Sequence, residues 1–216
     1  MIAGGVQQGQ FITLEGGEGS GKSTQSRRLV ERLSRLGLDV VATREPGGAP
    51  GAEEIRNLLV RGDTGRWDPL TETLLLFAAR RQHLAETVWP ALAAGQWVVS
   101  DRFADSTMAY QGYAQGVGRE AVERVQASAI GDFLPNLTLI LDLPVEVGLA
   151  RAAQRTGGED RYERMGLAFH QRLHDAYRDI AAREPARCKV IDATLDLDAV
   201  AAGIWTAVAG HFKLPR

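Results

Sequence analysis

One short segment constrains the fold of this chain more than any other: GGEGSGKS, residues 16–23, which is separated by one residue from the apolar run FITL, residues 11–14. Its spacing, Gly16-x4-Gly21-Lys22-Ser23, is the P-loop pattern, in which glycines let backbone N–H groups turn inward around a phosphate at the start of a helix. In this pattern the lysine reaches the β- and γ-phosphates and the serine hydroxyl binds Mg²⁺. The segment therefore predicts a strand, a phosphate-binding loop and a helix, in that order.

The rest of the chain alternates short apolar runs with longer amphipathic stretches. The predicted strands are 11–14, 40–43, 97–100, 137–143 and 189–192. The predicted helices are 22–36, 52–61, 71–94, 119–131, 144–155, 163–183 and 196–211. This pattern predicts an α/β P-loop NTPase fold of three layers, with a parallel five-stranded sheet covered by helices on both faces. Ligands of such sheets bind at the carboxyl ends of the strands.

Composition excludes several classes of protein. A net charge of −2 argues against a general nucleic-acid binder, and the single cysteine, Cys188, excludes an internal disulfide. No run approaches the ~18 apolar residues of a membrane span. The segment 1–9 lacks the features of a signal peptide and is expected to be a flexible leader before a single P-loop domain, 10–216, in the cytoplasm.

Charged side chains follow two of the predicted strands. Asp101 comes where a carboxylate would hold Mg²⁺ through water, and Arg102 would add a positive charge beside it. A salt bridge within that pair is the structural alternative. Glu45 lies at the carboxyl end of the second predicted strand, where a binding site is expected, although the turn that follows it could be only a connection. Arg56, on the next predicted helix, could take part in the same site or be only a solvated surface charge.

A second group of arginines lies further along the chain. Arg151 and Arg155 are spaced i, i+4 on a predicted helix, and two glycines separate them from Arg161. This arrangement predicts a short mobile lid, approximately 151–163, that carries cations to a phosphate site. Arginines placed on a helix surface for solubility are the alternative.

The motifs that the chain lacks restrict the classes of molecule that could accept a phosphoryl group from it. It has no protein-kinase catalytic-loop motif and no N-K-x-D string for guanine. A phosphate monoester, with its second pKa near ~6, would need no general base because it is already a dianion at neutral pH. Phe77 offers a stacking face for a base, although its helical spacing also fits a core position.

Several motifs together resemble the bacterial thymidylate kinases, a P-loop family of nucleoside-monophosphate kinases. They are FITLEGGEGSGKST, TREPGGAPGAEEIR, LLLFAARRQHL, VVSDRFADSTMAYQG, LILDLPVEVGLARA and DRYE. The resemblance runs from about residue 10 to beyond the last predicted strand. It implies transfer of the γ-phosphoryl group of MgATP to dTMP, giving dTDP and ADP in dTTP biosynthesis, by a homodimer.

The resemblance also implies roles for individual residues. The ATP phosphates would be bound by Gly16, Gly17, Glu18, Gly19, Ser20, Gly21, Lys22, Ser23 and Thr24, with Ser23 and Asp101 at the metal. The dTMP site would comprise Glu18, Glu45, Arg56, Phe77, Arg80, Arg102, Thr107, Tyr110 and Gln111. Catalysis would depend on Lys22, Arg102, Arg151, Arg155 and Arg161.

Within the dTMP site, the family pattern implies a separate role for each residue. Arg102 matches the arginine that holds the acceptor phosphate, Phe77 the stacking aromatic residue and Arg80 the arginine that reads a thymine carbonyl. Thr107 and Gln111 match polar readers of the base, and Tyr110 stands where a ring would crowd a ribose 2′-OH. One departure concerns the stacking position: aligned backwards from Pro90, Leu76 takes the place of the aromatic residue.

Two other functions remain open from the sequence. Another P-loop nucleoside-monophosphate kinase would differ only in the acceptor base. A P-loop ATPase that drives a partner interaction would hydrolyse ATP regardless of any monophosphate, and it would leave the Asp101–Arg102 segment without a role.

Overall fold

The computed structural model describes residues 9–154 and 161–215 of the chain, and it confirms the predicted α/β fold class. Five parallel strands form one sheet in the order β2-β3-β1-β4-β5. They are β1 (Phe11–Glu15), β2 (Val40–Arg44), β3 (Trp97–Asp101), β4 (Leu137–Asp142) and β5 (Cys188–Asp192). Each agrees with its predicted strand to within one residue at either end. The expected leader lies, apart from residue 9, outside the described residues.

Helices cover both faces of the sheet. They are α1 (Lys22–Arg35), α2 (Pro50–Leu59), α3 (Pro69–His83), α4 (Trp89–Ala93), α5 (Ala104–Thr107), α6 (Arg119–Ile130), α7 (Val145–Ala152), α8 (Leu167–Arg183) and α9 (Leu197–Phe212). Within the described ranges, no helix is long and apolar enough to cross a membrane.

Alternation along β1 divides the interior into two cores. Ile12 and Leu14 pack with residues of α1 and α9, whereas Phe11 packs on the opposite face with residues of α3, α5 and α8. Successive side chains of a strand point to opposite faces, so Glu15 shares the face of Phe11. A carboxylate at the carboxyl end of the central strand is thereby directed towards α5 and α8.

The predicted helix 71–94 is not continuous. A π-helical turn, Leu84–Val88, separates α3 from α4, and Pro90 lies in the first turn of α4. Proline cannot donate a backbone hydrogen bond to the preceding turn and its ring crowds the carbonyl there, which the wider turn accommodates.

The segment after β3 is helical, although the sequence analysis predicted no helix there. The short helix α5 continues into a second π-helical turn, Met108–Ala114. The predicted helix 163–183 also begins later, because Gly166 has a φ of 81° and α8 starts after it.

The phosphate loop packs directly against α7. A Cβ atom on Gly19 would lie 2.0 Å from the carbonyl oxygen of Gly148, and one on Gly148 would lie 2.4 Å from the carbonyl oxygen of Glu18. Two backbones at this distance leave no room for a side chain on either. The backbone of helix α7 therefore supports the phosphate loop by direct contact.

This contact predicts the effect of Gly148→Ala. Alanine in place of a helical glycine normally stabilises by up to ~1 kcal/mol, but here the methyl group meets a backbone carbonyl of the loop. We expect a loss of about 1–3 kcal/mol in the free energy of unfolding, measured by urea denaturation, together with weaker nucleotide binding.

Gly203→Ala in α9 is the matched control, since its Cβ would make an ordinary contact 3.6 Å from Ile191. Stabilisation by both substitutions would show that α7 does not hold the loop.

Candidate active site

The loop between β1 and α1 has the geometry of a phosphate cradle. Gly16, Gly19 and Gly21 have φ values of 135°, 69° and 92°, a region that side-chain-bearing residues rarely adopt. The Lys22 ammonium folds back over the loop and donates to the carbonyl oxygens of Gly16 at 3.0 Å and Gly17 at 2.7 Å. The loop and its lysine thus form one compact cationic unit.

Burial lowers the pKa of Lys22, and the neighbouring Arg102 charge lowers it further. The carboxylates of Glu18, Asp101 and Glu15 offset these two effects only in part, so that the pKa of Lys22 is about 8. An anion bound beside Lys22 would favour the protonated ammonium.

Ser23 and Asp101 bring two oxygen ligands together. The Ser23 hydroxyl donates to the Asp101 carboxylate, and Asp101 is the last residue of β3. A hydroxyl and a carboxylate are hard oxygen ligands of the kind that Mg²⁺ prefers. Across the described ranges no group of three or more His, Cys, Asp or Glu residues is arranged to hold a metal. A hydroxyl and a carboxylate side by side fit an ion that also keeps phosphate and water ligands.

Arg102 occupies the left-handed region of backbone space, with a φ of 73°. A non-glycine residue there is strained by about 1–3 kcal/mol. Its N–H donates to the carbonyl of Leu14 at 2.9 Å, and its own carbonyl accepts from the Ser100 hydroxyl at 2.7 Å. These two bonds hold the conformation that turns the guanidinium towards the phosphate loop.

The Arg102 guanidinium joins several elements of the fold. Its two terminal nitrogens donate, over 2.9–3.2 Å, to Gly16 O, Glu18 Oε1, Ser106 Oγ, Tyr110 OH and Tyr177 OH. Arg102 and Glu18 keep 16% and 14% of their side chains exposed. An arriving anion can therefore reach them.

The Glu18 carboxylate is held in its ionised form. Burial alone would raise its pKa, but Arg102 and Lys22 together with the hydrogen bond from Tyr110 lower it to about 2. The Tyr110 hydroxyl donates to Glu18 at 2.6 Å. The predicted tyrosine and the loop glutamate are thus direct partners.

Glu15 is a site residue that the sequence analysis missed. Its buried carboxylate accepts from the Phe103 N–H at 2.7 Å and from the Ser106 hydroxyl at 2.5 Å. Burial, reinforced by the Asp105 charge, raises its pKa to about 7 despite these bonds and the nearby Arg102. The available signal was its position at the carboxyl end of the central strand.

Arg80, in the last turn of α3, is only 2% exposed. Its Nε donates to Glu45 at 2.7 Å, and its Nη2 donates to the Phe103 carbonyl at 3.1 Å and the Thr107 hydroxyl at 3.0 Å. Its Nη1 is buried and donates to no described residue. The two N–H groups of Nη1, on a tightly held guanidinium, are thus left for a ligand.

Glu45 orients Arg80 rather than presenting a free carboxylate. Its second oxygen, Oε1, contacts Nδ1 of the fully buried His83 at 2.9 Å. The other ring nitrogen of His83 contacts the Thr43 hydroxyl at 2.7 Å. His83, which the sequence analysis did not single out, completes a buried chain of hydrogen bonds behind Arg80.

Among the described residues, Gln111 presents an unbonded acceptor atom, whereas Arg80 presents an unbonded donor. Its Nε2 donates to the buried carboxylate of Glu72 at 2.6 Å, while its Oε1 is buried and accepts from no described residue. Glu72, a second missed residue, also accepts from Gln115 and from Tyr162.

These side chains surround an open cavity of about 340 Å³ that begins at the phosphate loop. Its polar wall includes Glu18, Lys22, Ser23, Glu45, Arg56, Arg80, Asp101, Arg102, Thr107, Tyr110, Gln111 and Tyr162. Its apolar wall consists of Pro46, Val60, Leu76 and Phe103. Arg56 donates to the Pro46 carbonyl at 2.7 Å and borders the cavity.

The structure corrects the placement of Phe77. Its ring is 1% exposed and packs in the core, 4.6 Å from the Arg80 guanidinium, whereas Leu76 lines the cavity. Residues four apart share a helix face, so the cavity-facing Arg80 brings Leu76 with it and turns Phe77 inward. Phe77 supports the arginine instead of the base.

The three arginines predicted for the lid lie in different parts of the structure. Arg151 is exposed in the last turn of α7, and Arg155 lies outside the described residues. The structure corrects Arg161, which is 1% exposed and does not line the cavity. Its guanidinium pairs with Glu72 at 2.5 Å and donates to the carbonyl oxygens of Leu59, Asp63 and Thr64. These bonds make it an anchor for its segment.

Comparisons with known proteins agree on one family. The thymidylate kinase family model matches residues 14–204. The chain is similar to the thymidylate kinases of Caulobacter vibrioides, 57% identical over 97% of this chain and 100% of that protein, and Nitrobacter hamburgensis, 53% identical over 94% and 90%. It also resembles the crystal structure of thymidylate kinase from Ehrlichia chaffeensis, with a TM-score of 0.75 and 36% identity over 93% of this chain and 98% of that one.

The lowered pKa of Glu18 predicts a pH-dependent contribution to stability. Because the folded-state value of about 2 lies below the ordinary 4.5, the stabilisation is present above pH 4.5 and is lost as the pH falls towards 2. We expect Glu18→Gln to unfold more easily than the wild type by about 2 kcal/mol at neutral pH. The difference should shrink on acidification, followed by urea denaturation at several pH values.

Glu54→Gln, at an exposed position of α2, is the control and is expected to follow the wild-type curve. A deficit for Glu18→Gln that stays constant across the acidic range would contradict an ionised Glu18 as its source.

Proposed function

This chain belongs to the thymidylate kinase family, whose reaction is phosphoryl transfer from ATP to dTMP, and we propose that the cavity beside its P-loop binds the acceptor for that reaction. The chain is accordingly a phosphotransferase that makes dTDP. We assign the binding of the two nucleotides to residues of the P-loop and of this cavity.

One observation carries the assignment of the acceptor. Two buried polar atoms, the donor Arg80 Nη1 and the acceptor Gln111 Oε1, have no partner among the described residues, and both side chains line the cavity. Thymine presents a carbonyl acceptor at C4 beside an N–H donor at N3. Cytosine presents the reverse pattern, so it would leave both protein atoms unpaired, which costs about 1–3 kcal/mol for each.

The remaining dTMP contacts follow from this orientation. Thr107 and Glu45 hold the Arg80 guanidinium in place, while Leu76 and the apolar wall contact the base. Tyr110 and the loop residue Glu18 line the cavity and are joined by a hydrogen bond of 2.6 Å, and the sugar is assigned to this position. The Tyr110 ring would then crowd a ribose 2′-OH.

The acceptor phosphate is assigned to Arg102 and Arg56. Both line the cavity, and Arg102 also contacts the phosphate loop. A phosphate monoester is largely dianionic at neutral pH, so it can attack without a general base. The role of these side chains is to bring two anions together and to offset their repulsion.

The donor half is the P-loop, residues 16–24. Inward-facing N–H groups and the helix N-terminus bind the phosphates of ATP, and Lys22 exchanges its present contacts with the loop carbonyls for phosphate oxygens. An added polyphosphate favours the protonated form of this lysine, because it supplies negative charge beside it.

Ser23 and Asp101 would hold Mg²⁺, the Ser23 hydroxyl directly and the Asp101 carboxylate through water. Bound Mg²⁺ supplies positive charge to the β- and γ-phosphate oxygens. Lys22 and Arg102 supply positive charge from the protein on either side of the transferred group.

The lid, approximately 151–163, is proposed to bring Arg151 and Arg155 to the phosphates, in one kinase domain spanning 10–216. Arg161 is excluded from this role by its buried pairing with Glu72. The family resemblance supports a homodimer in the cytoplasm, where ATP is available.

An acceptor panel tests the proposed function. ADP release from MgATP is measured with dTMP, dUMP, dCMP, dGMP, AMP or no acceptor. We expect strong stimulation by dTMP, weaker stimulation by dUMP and little by the others. Preference for another monophosphate would overturn the base-site assignment, and release indifferent to every acceptor would indicate an ATPase.

Arg102→Gln tests the phosphate assignment. Removal of a guanidinium from the transferring phosphates is expected to lower kcat/KM for dTMP by about 100-fold or more. Arg124→Gln is the control, because Arg124 is an exposed arginine that pairs with Glu120 on the surface of α6. Equal activities of the two variants would remove Arg102 from the mechanism.

A further inference from the structure

Glu72 is a carboxylate that the reaction does not use, yet it is fully buried beside the cavity. It lies in the first turn of α3 and is 0% exposed. Its Oε1 accepts from Gln111, Gln115 and Tyr162 at 2.6, 2.9 and 3.0 Å. A buried charge with this many partners requires an explanation beyond packing.

An ionised carboxylate can only accept hydrogen bonds, and this property fixes the amide of Gln111. The amide nitrogen must face Glu72, since the flipped amide would bring two acceptor oxygens together at 2.6 Å. The amide oxygen is consequently the atom left for a ligand in the cavity. The choice between oxygen and nitrogen is made by Glu72 and not by Gln111 itself.

We propose that Glu72 is a positioning residue that determines acceptor-base specificity by holding the Gln111 amide with its oxygen towards the base. The inference rests on the proposed binding of dTMP in this cavity. With the amide locked, the cavity presents the donor Arg80 beside an acceptor, which matches thymine and uracil and mismatches cytosine. With the amide free to turn, its N–H group would pair with N3 of cytosine.

Arg161 balances the negative charge of the buried Glu72 carboxylate. Its guanidinium pairs with Glu72 Oε2 at 2.5 Å, and only 1% of the arginine side chain is exposed. The arginine supplies the opposite charge that a buried carboxylate needs, while Oε1 remains available to Gln111. The two oxygens of Glu72 therefore have separate partners.

The test is Glu72→Gln, which replaces an obligate acceptor with a group that can donate or accept. Binding of dTMP, dUMP and dCMP is measured by calorimetry, and kcat/KM is measured for each acceptor. We expect the preference for dTMP over dCMP to fall about tenfold or more. The preference for dTMP over dUMP should not change, because these two bases share the same hydrogen-bonding edge.

Arg161→Gln is the matched control. It breaks the same ion pair but leaves the Glu72 carboxylate facing Gln111, so the ratio of dTMP to dCMP should stay at the wild-type value even if stability falls. If Glu72→Gln alone fails to fold because Arg161 is left unpaired, the double variant Glu72→Gln/Arg161→Gln is compared with Arg161→Gln. Thermal unfolding of each variant shows that folded protein is assayed.

Two outcomes would overturn different statements. A parallel loss for all three acceptors with unchanged ratios would mean that Glu72 only stabilises the fold. A wild-type enzyme without preference for dTMP over dCMP would instead contradict the proposed base site, whatever Glu72→Gln does.

Discussion

The site is organised around the guanidinium of Arg102, which is held by a left-handed backbone at the carboxyl end of β3. This one group contacts the phosphate loop through Gly16 and Glu18 and reaches α8 through Tyr177. A flexible arginine at the surface would lose several rotamers to make these contacts. Here the strained backbone and the surrounding hydrogen bonds hold it in place before any substrate arrives, as electrostatic stabilisation of phosphoryl transfer requires.

The short helix α5 connects the two ends of the acceptor cavity. Ser106 binds both Arg102 and Glu15, whereas the next residue, Thr107, binds Arg80. The group assigned to the phosphate and the group assigned to the base are therefore positioned by consecutive residues. Glu15 fixes the start of this helix through the Phe103 N–H. The spacing between the phosphate and base contacts is thus set by rigid secondary structure.

Much of the fold and part of the site could be predicted from the sequence. The strands and the P-loop were found because apolar runs and the glycine spacing are local signals. Arg80, Arg102, Thr107, Tyr110 and Gln111 were found through motif resemblance, and all of them line the cavity. Phe77 and Arg161 were misplaced. An aromatic residue beside a binding motif and an arginine beside a glycine break each fit two environments, and local sequence does not distinguish them.

The sequence by itself determined which segments form the sheet and where the glycine-rich P-loop lies, because hydrophobic period and glycine conformational freedom act over a few residues. Tertiary structure decided which charges are used in chemistry and which are buried as pairs. Arg161 and Glu72 are about 90 residues apart in the sequence, and so are Glu15 and Ser106, yet each pair meets in the interior. A buried charge must find a partner wherever the fold supplies one, so its role depends on contacts that no local pattern encodes.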